Sequence, residues 1–326
     1  MKQSRLQLVF LDAATFGDVS FQSFTTHWDC TLYGTSTPVE VLDRLEGTQA
    51  VVINKMALDR SVLVSPKAKG LRLIVVAATG TDNVDLKAAG ERTITVCNVP
   101  GYATNAVAQF TMALMLELAS HPGRYAQLVR SGAWQKSEIF TRLDFPSVEL
   151  TGKKLGIVGY GSIGQAVAQI ARGFGMEVLV SARPGISGPV PSGRLPFADL
   201  LATSDFVTLH CPLTTQTKSL VNRRTLALMK PTAFLINTAR GGLVNELALI
   251  EALKKKRLGG AAVDVLTEEP PSENHPLIRA TNELDNLLVT PHCAWTAIEA
   301  RQRLLAEVEE NIKAFQRGEK RNHVPP

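Results

Sequence analysis

Short runs of apolar residues alternate with longer segments of helical periodicity along most of the chain. In the first third, these runs predict strands at residues 6–11, 50–53, 71–77 and 93–97. A second series begins near residue 151 and predicts strands at 154–158, 177–180, 206–209, 233–237, 260–263 and 287–290. Strands that alternate with helices form parallel sheets covered by helices on both faces, so the predicted fold class is α/β with two doubly wound parallel-sheet domains.

Two helical segments are longer than the others. Residues 297–317 show the pattern of an amphipathic helix. Residues 104–119 are rich in Ala, Met and Leu, and a polar stretch that contains Trp134 follows them. This second helix is apolar enough to suggest that the protein is a homodimer.

The domain boundaries are expected where a proline ends a predicted strand, at Pro100-Gly101 and at Pro291-His292. We therefore expect residues 1–100 and 292–326 to form one domain, with residues 101–291 inserted as the other. A length of 326 residues is also typical of two domains.

Composition and charge narrow the class of protein. Hydrophobic residues make up 45% of the chain and charged residues 20%, which is ordinary for a globular protein with sizeable cores. The net charge of +5 comes from scattered Lys and Arg residues. The longest basic run, 254–257, closes a helical pattern, where cations offset the helix dipole. No nucleic-acid partner is therefore expected.

Cysteine usage and the apolar runs indicate the compartment. Four cysteines lie far apart and form no CxxC motif, which is typical of reduced thiols and argues against a zinc or other metal site (Cys30, Cys97, Cys211 and Cys293). The chain shows neither a leader peptide nor an apolar run of about 18 residues. We therefore expect a cytoplasmic protein with no membrane partner.

A glycine-rich turn, Gly159-Tyr-Gly161-Ser-Ile-Gly164, lies between a predicted strand and a predicted helix. In that context the motif is strongly indicative of dinucleotide binding. Gly159 allows the tight turn, Gly161 lets the backbone approach a pyrophosphate, and Gly164 lets the helix pack against the strand. With Ser162 and Ile163, these residues are predicted to bind the cofactor at a helix N-terminus.

The end of the next predicted strand bears on which nicotinamide cofactor is used. An acidic residue is expected about 20 residues beyond the turn if the cofactor is NAD, because its carboxylate holds the ribose 2′-OH. Ala182 occupies that position and carries no charge. Arg183 can pair with a 2′-phosphate and Ser181 can hydrogen-bond to it. The sequence therefore favours NADP(H), with NAD or a loose choice between the two as the alternative.

Three later strands end in polar residues, and the carboxyl ends of strands are where ligands bind in open α/β sheets. The segments are Asn237-Thr-Ala-Arg240-Gly, Val263-Asp264 with Glu269-Pro270, and Pro291-His292. With the glycine-rich turn, in this order and spacing, they make the chain resemble the D-isomer-specific 2-hydroxyacid dehydrogenases over nearly its whole length. Four further segments resemble the glycerate dehydrogenase and hydroxypyruvate reductase group of that family, at residues 78–85, 97–102, 210–213 and 292–295.

The chemistry of keto-acid reduction assigns roles to three of these residues. His292 suits the general acid in reduction and the base in oxidation, because an imidazole exchanges protons near neutral pH. Glu269 suits the carboxylate that orients the imidazole. Glu268 is the adjacent alternative, but the family pattern places the acting Glu immediately before Pro. Arg240 suits the cation that binds the substrate carboxylate and polarises the keto oxygen.

The resemblance implies further cofactor contacts and an architecture. It places Asp264 near the nicotinamide carboxamide and adds Cys211, Pro212, Thr238 and Ala239 to the residues that bind the cofactor. It also implies a Rossmann-type cofactor domain inserted into a flavodoxin-like substrate domain.

Substrate contacts are expected mainly from the first domain. Thr79 and Gly80 follow a predicted strand, and the resemblance implies that backbone N–H groups there receive the substrate carboxylate. Lys55 also follows a strand; it is either a second cation for the acid or a solvated surface residue. Trp295 is expected to wall the pocket. By analogy with the family, Trp134 belongs to an arm that reaches toward a partner subunit.

The predicted function is reduction of hydroxypyruvate to D-glycerate, and of glyoxylate to glycolate, with NAD(P)H. Dehydrogenases of other small 2-hydroxy acids, such as D-lactate or 3-phosphoglycerate, are alternatives. A phosphoglycerate dehydrogenase usually carries an extra regulatory domain, which is not expected in a chain that stops at Pro326. An alternative of another class is a corepressor-like protein that senses the cofactor. Such a sensor has no need of a proton donor, so Arg240, Glu269 and His292 argue against it.

Overall fold

The computed structural model describes residues 5–184 and 189–326, which form two compact units. Unit 1 consists of the described residues up to Ala103 together with Thr296–Pro326, and unit 2 is Thr104–Trp295. Unit 2 is therefore inserted into unit 1 in the chain. The sequence predicts these crossings at Pro100-Gly101 and Pro291-His292, and in the structure they follow Ala103 and Trp295.

Local structure explains why each crossing lies later than its proline. The first helix of unit 2 begins at Thr104. At the other end, the backbone N–H groups of His292 and Ala294 donate to Asp264, which directly follows a strand of unit 2. These bonds place His292 in unit 2, whereas the sequence assigns it to the C-terminal part of the other domain.

The strands and helices have these bounds. The strands are β1 (Gln7–Phe10), β2 (Asp29–Leu32), β3 (Ala50–Ile53), β4 (Leu73–Val76), β5 (Thr95–Cys97), β6 (Lys154–Val158), β7 (Glu177–Val180), β8 (Phe206–Leu209), β9 (Phe234–Asn237), β10 (Gly260–Val263) and β11 (Leu287–Val289). The α-helices are α1 (Gln22–His27), α2 (Pro38–Leu45), α3 (Arg60–Leu63), α4 (Leu86–Glu91), α5 (Thr104–Ser120), α6 (Pro122–Arg130), α7 (Ser162–Gly173), α8 (Phe197–Thr203), α9 (Arg223–Leu226), α10 (Glu246–Lys254), α11 (Pro276–Ala280) and α12 (Ile298–Gln316).

Unit 1 contains a parallel sheet in the order β2-β1-β3-β4-β5, which is the flavodoxin-like order. All residues of β3 and β4 are buried, because helices cover both faces of the sheet, and their sequences are therefore continuously apolar. On one face Val9 packs into a cluster with Val51 and Ile74. On the other, the ring of Phe10 lies 5.0 Å from that of Phe24, edge to face.

Among the strands of the described residues, β2 is not predicted by the sequence pattern. It lies at the edge of the sheet and pairs with β1. Its residues, Asp-Cys-Thr-Leu, are exposed or half-buried, so the strand lacks the apolar run that marks the others. Every strand that the pattern predicts is present, some shorter by one or two residues at an end.

Unit 2 contains a parallel sheet in the order β11-β10-β9-β8-β6-β7. A single parallel bridge between Ser181 and Leu195 extends it beyond β7. With that bridge as a short third strand, the order is that of the Rossmann fold, and the direction of winding reverses between β6 and β8. The two-domain α/β fold is therefore as predicted.

The core of unit 2 has two layers, one on each face of its sheet. Helices α5 and α7 cover one face, where Met115 packs with Ile157 and Phe206. Helices α8 and α10 cover the other, where Leu200 and Leu249 pack with neighbouring strands. Because both layers pack against the sheet, the strands are held in fixed positions. The loops that follow the carboxyl ends of the strands therefore begin at defined positions.

Two other findings concern the helices. Helix α6 occupies the start of the polar stretch that follows α5, and its residues are exposed or half-buried. Across residues 5–184 and 189–326, the helices include none with the length and apolarity that crossing a bilayer requires.

Candidate active site at the carboxyl edge of unit 2

The glycine-rich turn connects β6 to α7. Gly159 has a φ of 96°, and a Cβ on it would lie 2.5 Å from the backbone N of Cys211. A Cβ on Gly164 would lie 2.2 Å from the carbonyl oxygen of Gly159. A Cβ on Gly161, by contrast, would meet no heavy atom within 4 Å. Gly159 and Gly164 therefore serve the fold, whereas Gly161 borders open space beside the helix N-terminus.

The start of α7 has the properties of an anion site. Gly161 is the N-cap and has no side chain with which to cap the helix. The N–H groups of Ser162 and Ile163 belong to the first turn, where a helix provides no acceptor within itself. The helix dipole adds a partial positive charge there. A dinucleotide pyrophosphate therefore fits this end of α7.

The segment after β7 carries the residues expected to select the cofactor. Ser181 is buried and donates from its Oγ to the carbonyl oxygen of Ala182. Arg183 is exposed. A second cation, Arg194, donates to the carbonyl oxygen of Ser181 at 3.3 Å and lies 5.0 Å from the ring centroid of Tyr160 in the glycine-rich turn. The segment thus contains two arginines and no acidic residue at position 182.

The residues after β8 pack directly against the turn, as the clash of a Gly159 Cβ with Cys211 shows. Cys211 is buried, which raises the pKa of its thiol. The carbonyl oxygen of Pro212 accepts a bond from Thr217 Oγ1. Burial lowers the pKa of His210 to about 3, and its Nε2 lies 2.9 Å from Thr208 Oγ1. This imidazole is therefore neutral, and Cys211 is a thiol rather than a thiolate.

The turn after β9 is shaped by a buried amide. The side chain of Asn237 accepts from the N–H of Ala239 at 3.1 Å and donates to the carbonyl oxygen of Arg240 at 2.9 Å. The hydroxyl of Thr238 lies 3.0 Å from that of Thr111 on α5. The guanidinium of Arg240 donates to the carbonyl oxygen of Ala239. The Thr238–Arg240 segment is therefore held at both its backbone and its side chains.

Asp264 follows β10 and organises the segment after β11. It is almost fully buried. Its carboxylate accepts bonds from the hydroxyl of Thr290 and from the backbone N–H groups of Cys293 and Ala294. Its own carbonyl oxygen accepts the N–H of His292 at 2.8 Å. Asp264 is thus bonded to the segment on both sides of His292.

His292 and Glu269 form a hydrogen-bonded pair. Nδ1 of His292 lies 2.6 Å from Oε2 of Glu269, and their side chains are 23% and 32% exposed. His292 has a φ of 50°, in the left-handed region that non-glycine residues rarely adopt, at a cost of about 1–3 kcal/mol. The bonds from its N–H to Asp264 and Thr290 hold that conformation. The pair is therefore fixed yet accessible.

Glu269 is held by the backbone of its own loop, which packs against the segment of Arg240. The N–H of Leu266 donates to Oε1 of Glu269 at 2.8 Å. A Cβ on Gly241 would lie 2.0 Å from the carbonyl carbon of Leu266, so the two backbones touch. Strands β9, β10 and β11 are neighbours in register. Arg240, Glu269 and His292 thus come from adjoining loops at one edge of the sheet.

Comparison with known proteins identifies the family. The model of the D-isomer specific 2-hydroxyacid dehydrogenase NAD-binding domain matches residues 112–294, more than half of the chain. The chain belongs to this family. It is 41% identical to a glycerate dehydrogenase of Methylorubrum extorquens over 98% of both chains, and 34% identical to a hydroxypyruvate reductase of Blautia hydrogenotrophica over 98% of this chain and 99% of that one. Among solved structures it is similar to the TT0316 protein of Thermus thermophilus, with 35% identity, a TM-score of 0.85 and coverage of 98% and 100%.

Family membership establishes the class of reaction. This dehydrogenase is an NAD(P)-dependent oxidoreductase that acts on a CH–OH group and interconverts a D-2-hydroxy acid and its 2-keto acid. Within the described residues, His, Cys, Asp and Glu side chains form no group of three suited to a metal ion.

Three of the four residues predicted to bind substrate lie in unit 1, and the fourth, Trp295, lies in unit 2. Thr79 is exposed, donates from Oγ1 to the carbonyl oxygen of Val99 and precedes Gly80, which is half-buried. Lys55 is exposed and follows β3 by two residues. Trp295 is buried and is the last residue of unit 2.

Sequence reasoning did not find several residues that shape these loops. The carboxylate of Asp12 in unit 1 accepts the backbone N–H groups of three consecutive residues, at 2.6–3.0 Å (Asn54, Lys55 and Met56). Thr111 and Arg194 act in unit 2 as described above, and the sequence names Asn237 only as part of a segment, without its role in the turn after β9. Asp12 follows a buried strand, which is a usable signal, but an isolated acid gives no indication of its partner.

Proposed function

We propose that this dehydrogenase reduces hydroxypyruvate to D-glycerate, and glyoxylate to glycolate, with NADPH as the preferred cofactor. The observation that carries the proposal is the 2.6 Å pair of His292 and Glu269, on a loop that packs against the segment of Arg240. The names of the glycerate dehydrogenase and the hydroxypyruvate reductase among its relatives support the substrate.

His292 is assigned the proton transfer. Glu269 engages Nδ1, so Nε2 is the atom that delivers the proton to the developing alkoxide in reduction. The carboxylate of Glu269 stabilises the imidazolium and fixes the plane of the ring. In oxidation the same nitrogen takes the proton of the hydroxyl group. The bound nicotinamide supplies the hydride to C2 in reduction.

Arg240 is assigned the substrate carboxylate and the keto oxygen. A guanidinium offers planar, paired N–H donors that match a carboxylate. Asn237 holds the backbone carbonyl of Arg240, and the guanidinium of Arg240 donates to the carbonyl oxygen of Ala239. Lys55, Thr79, Gly80 and Trp295 stay predicted substrate contacts. Ser162, Ile163, Thr238 and Ala239, with Cys211, Pro212 and Asp264, stay predicted cofactor contacts.

The preference for NADPH is supported by charge at the end of β7. Ala182 offers no carboxylate to a ribose 2′-OH. Arg183 is exposed beside it, and Arg194 is bonded to Ser181 next to the glycine-rich turn. Two guanidinium groups favour a 2′-phosphate over a hydroxyl group. Ala182→Asp should move the preference toward NADH, because its carboxylate repels the 2′-phosphate. If wild-type kcat/KM is already higher with NADH, this assignment is wrong.

The function is tested with a panel of keto acids: hydroxypyruvate, glyoxylate, pyruvate and 3-phosphohydroxypyruvate, each with NADPH and NADH. We expect the highest kcat/KM with hydroxypyruvate and NADPH. His292→Ala should lower kcat at least about 100-fold, whereas the control His27→Ala, at an exposed site of unit 1, should not. A higher kcat/KM with pyruvate or the phosphorylated acid would contradict the substrate. Full activity of His292→Ala would contradict the proton-transfer role.

We also propose a homodimer, formed in the cytoplasm. A groove between α5 and α7 is lined by residues that include Met112 and Ala113 of α5, Ile170 of α7 and Phe174, which directly follows α7. Phe174 is 40% exposed. The same groove of a second copy of the chain would pack against this surface and cover it. All four cysteines are free thiols, which supports a reducing compartment.

A further inference from the structure

Unit 2 contains another carboxylate–imidazole pair besides Glu269 and His292. Oε2 of Glu246, the first residue of α10, lies 3.3 Å from Nε2 of His275, and the two side chains are 11% and 4% exposed. Nδ1 of His275 is buried without a hydrogen-bond partner among the described residues. Nε2 is therefore the nitrogen of His275 that faces a carboxylate. This pair is outside the set that the proposed mechanism uses.

Glu246 holds one residue of the loop that carries Glu269. Its Oε1 accepts the backbone N–H of Thr267 at 2.8 Å, and its Oε2 accepts the hydroxyl of Thr267 at 2.9 Å. Thr267 thus supplies two hydrogen bonds to this carboxylate, and Nε2 of His275 lies 3.3 Å from its Oε2. A largely buried carboxylate that is bonded twice to one residue is a firm anchor, because both donors would lose their partner if the loop moved.

Thr267 follows Leu266, which bonds Glu269, and it also contacts Gly241; both contacts affect the orientation of Glu269. Its neighbour Leu266 donates its N–H to Oε1 of Glu269. A Cβ on Gly241 would lie 2.5 Å from the N of Thr267 itself, so the loop rests on the residue after Arg240. A shift of Thr267 therefore changes both the direction of the Leu266 N–H and the contact with Gly241. Glu269 would lose the bond that turns its other oxygen toward His292.

We infer that Glu246, backed by His275, is a positioning residue for the reaction. It fixes Thr267, and through Leu266 it sets the orientation of Glu269 on Nδ1 of His292. The inference rests on the proposed roles of Glu269 and His292. Glu246 acts through another side chain, so its effect must vanish when Glu269 cannot act.

A double-mutant cycle on turnover tests this. Glu246→Ala removes all three contacts and should lower kcat about 10- to 100-fold, while the dissociation constant for NADPH changes less than about 3-fold. Glu246→Gln keeps an oxygen for the N–H of Thr267 and should recover most of that loss. In a Glu269→Gln background, Glu246→Ala should lower kcat by a further factor of less than about 2, because the interaction it supports is already gone.

Two variants control for damage to the fold. Glu251→Ala removes another carboxylate of α10, one that pairs with Arg223 and Lys255 at the surface, and should leave kcat unchanged. If Glu246→Ala does not fold, Thr267→Val carries the cycle, since it deletes the hydroxyl bond and keeps the backbone N–H. NADPH affinity is measured for every variant, because an unfolded unit 2 loses it.

The outcomes are distinct. If the losses of kcat caused by Glu246→Ala and by Glu269→Gln multiply in the double variant, the positioning role of Glu246 is overturned. The same holds if Glu251→Ala lowers kcat as much as Glu246→Ala does. Either result leaves the proposed function intact. Wild-type turnover in Glu269→Gln overturns the proposed role of Glu269 and the inference with it. A loss in Glu246→Ala that disappears in the Glu269→Gln background supports both.

Discussion

The glycine-rich turn allows a prediction in which a matched pair of alanine substitutions separates binding from folding. Gly161→Ala adds a methyl group where no heavy atom lies within 4 Å. Gly164→Ala adds one 2.2 Å from the carbonyl oxygen of Gly159, and real Cβ atoms essentially never approach closer than 3.0 Å. The first change should therefore act on a ligand and the second on the protein.

The magnitudes follow from these contacts. At Gly161, alanine is a poorer N-cap than glycine by a fraction of a kcal/mol, but it lowers the entropy of the unfolded chain by a similar amount. Stability should thus change by less than about 1 kcal/mol. At Gly164, the better helix propensity of alanine gains about 1 kcal/mol. Forcing a turn and a helix apart by nearly an ångström costs more, so a net loss of about 1–3 kcal/mol is expected.

The assays are fluorescence titration with NADPH and urea unfolding with and without cofactor. Gly161→Ala should weaken binding at least about 10-fold, which corresponds to about 1.4 kcal/mol. At a cofactor concentration 100 times the wild-type Kd, binding stabilises the wild type by about 2.7 kcal/mol and this variant by about half as much. Wild-type affinity in Gly161→Ala would refute the assignment of the open space to the pyrophosphate. An undiminished stability of Gly164→Ala would refute the packing argument.

Three further predictions concern other parts of the chain. Burial lowers the pKa of His210 to about 3. In the unfolded chain this imidazole titrates near 6.5 and therefore binds a proton more readily than in the folded protein. The free energy of unfolding should therefore fall as the pH drops from about 6.5 toward 3, by at most about 1.4 kcal/mol per pH unit. Urea midpoints at pH 7 and pH 5 should show a smaller difference in His210→Gln but not in the exposed control His27→Gln. Asp12→Asn should lower the free energy of unfolding by about 1–3 kcal/mol, because an amide cannot accept every N–H that the carboxylate does; no loss relative to Asp29→Asn, at an exposed site, would contradict this. Ala113→Arg in the α5–α7 groove should yield monomers in sedimentation velocity, whereas Leu247→Arg, on exposed surface of α10, should not, and a dimer in both would exclude the groove.

The pattern of the sequence determines much of the fold because parallel strands buried on both faces must be apolar throughout. Strands such as β3 and β4 are therefore visible as runs of four apolar residues. Strand β2 is not, since an edge strand with exposed side chains has no such constraint. The glycine-rich turn is visible because its backbone conformation excludes side chains, which leaves a mark in the residue types themselves.

The candidate site is visible from sequence only to the extent that its residues follow strands. Arg240, Asp264 and His292 each come shortly after a strand, and the carboxyl ends of neighbouring parallel strands lie at one edge. That rule predicts that such residues meet but not which atoms bond. The choice of Glu269 over Glu268 came from the family pattern, and the bond to Nδ1 of His292 comes from the structure.

What only the tertiary structure decided is how the loops are held. The bonds of Asp264 to Cys293 and Ala294 span about 30 residues of sequence, and those of Glu246 to Thr267 span 21. Such bonds depend on how chain segments pack in space, and no local spacing encodes them. The sequence by itself therefore determined the class of fold, the cofactor turn and the residue types available for chemistry, because each of these follows from local constraints on burial and backbone conformation. The partners that orient those residues follow from packing between distant segments.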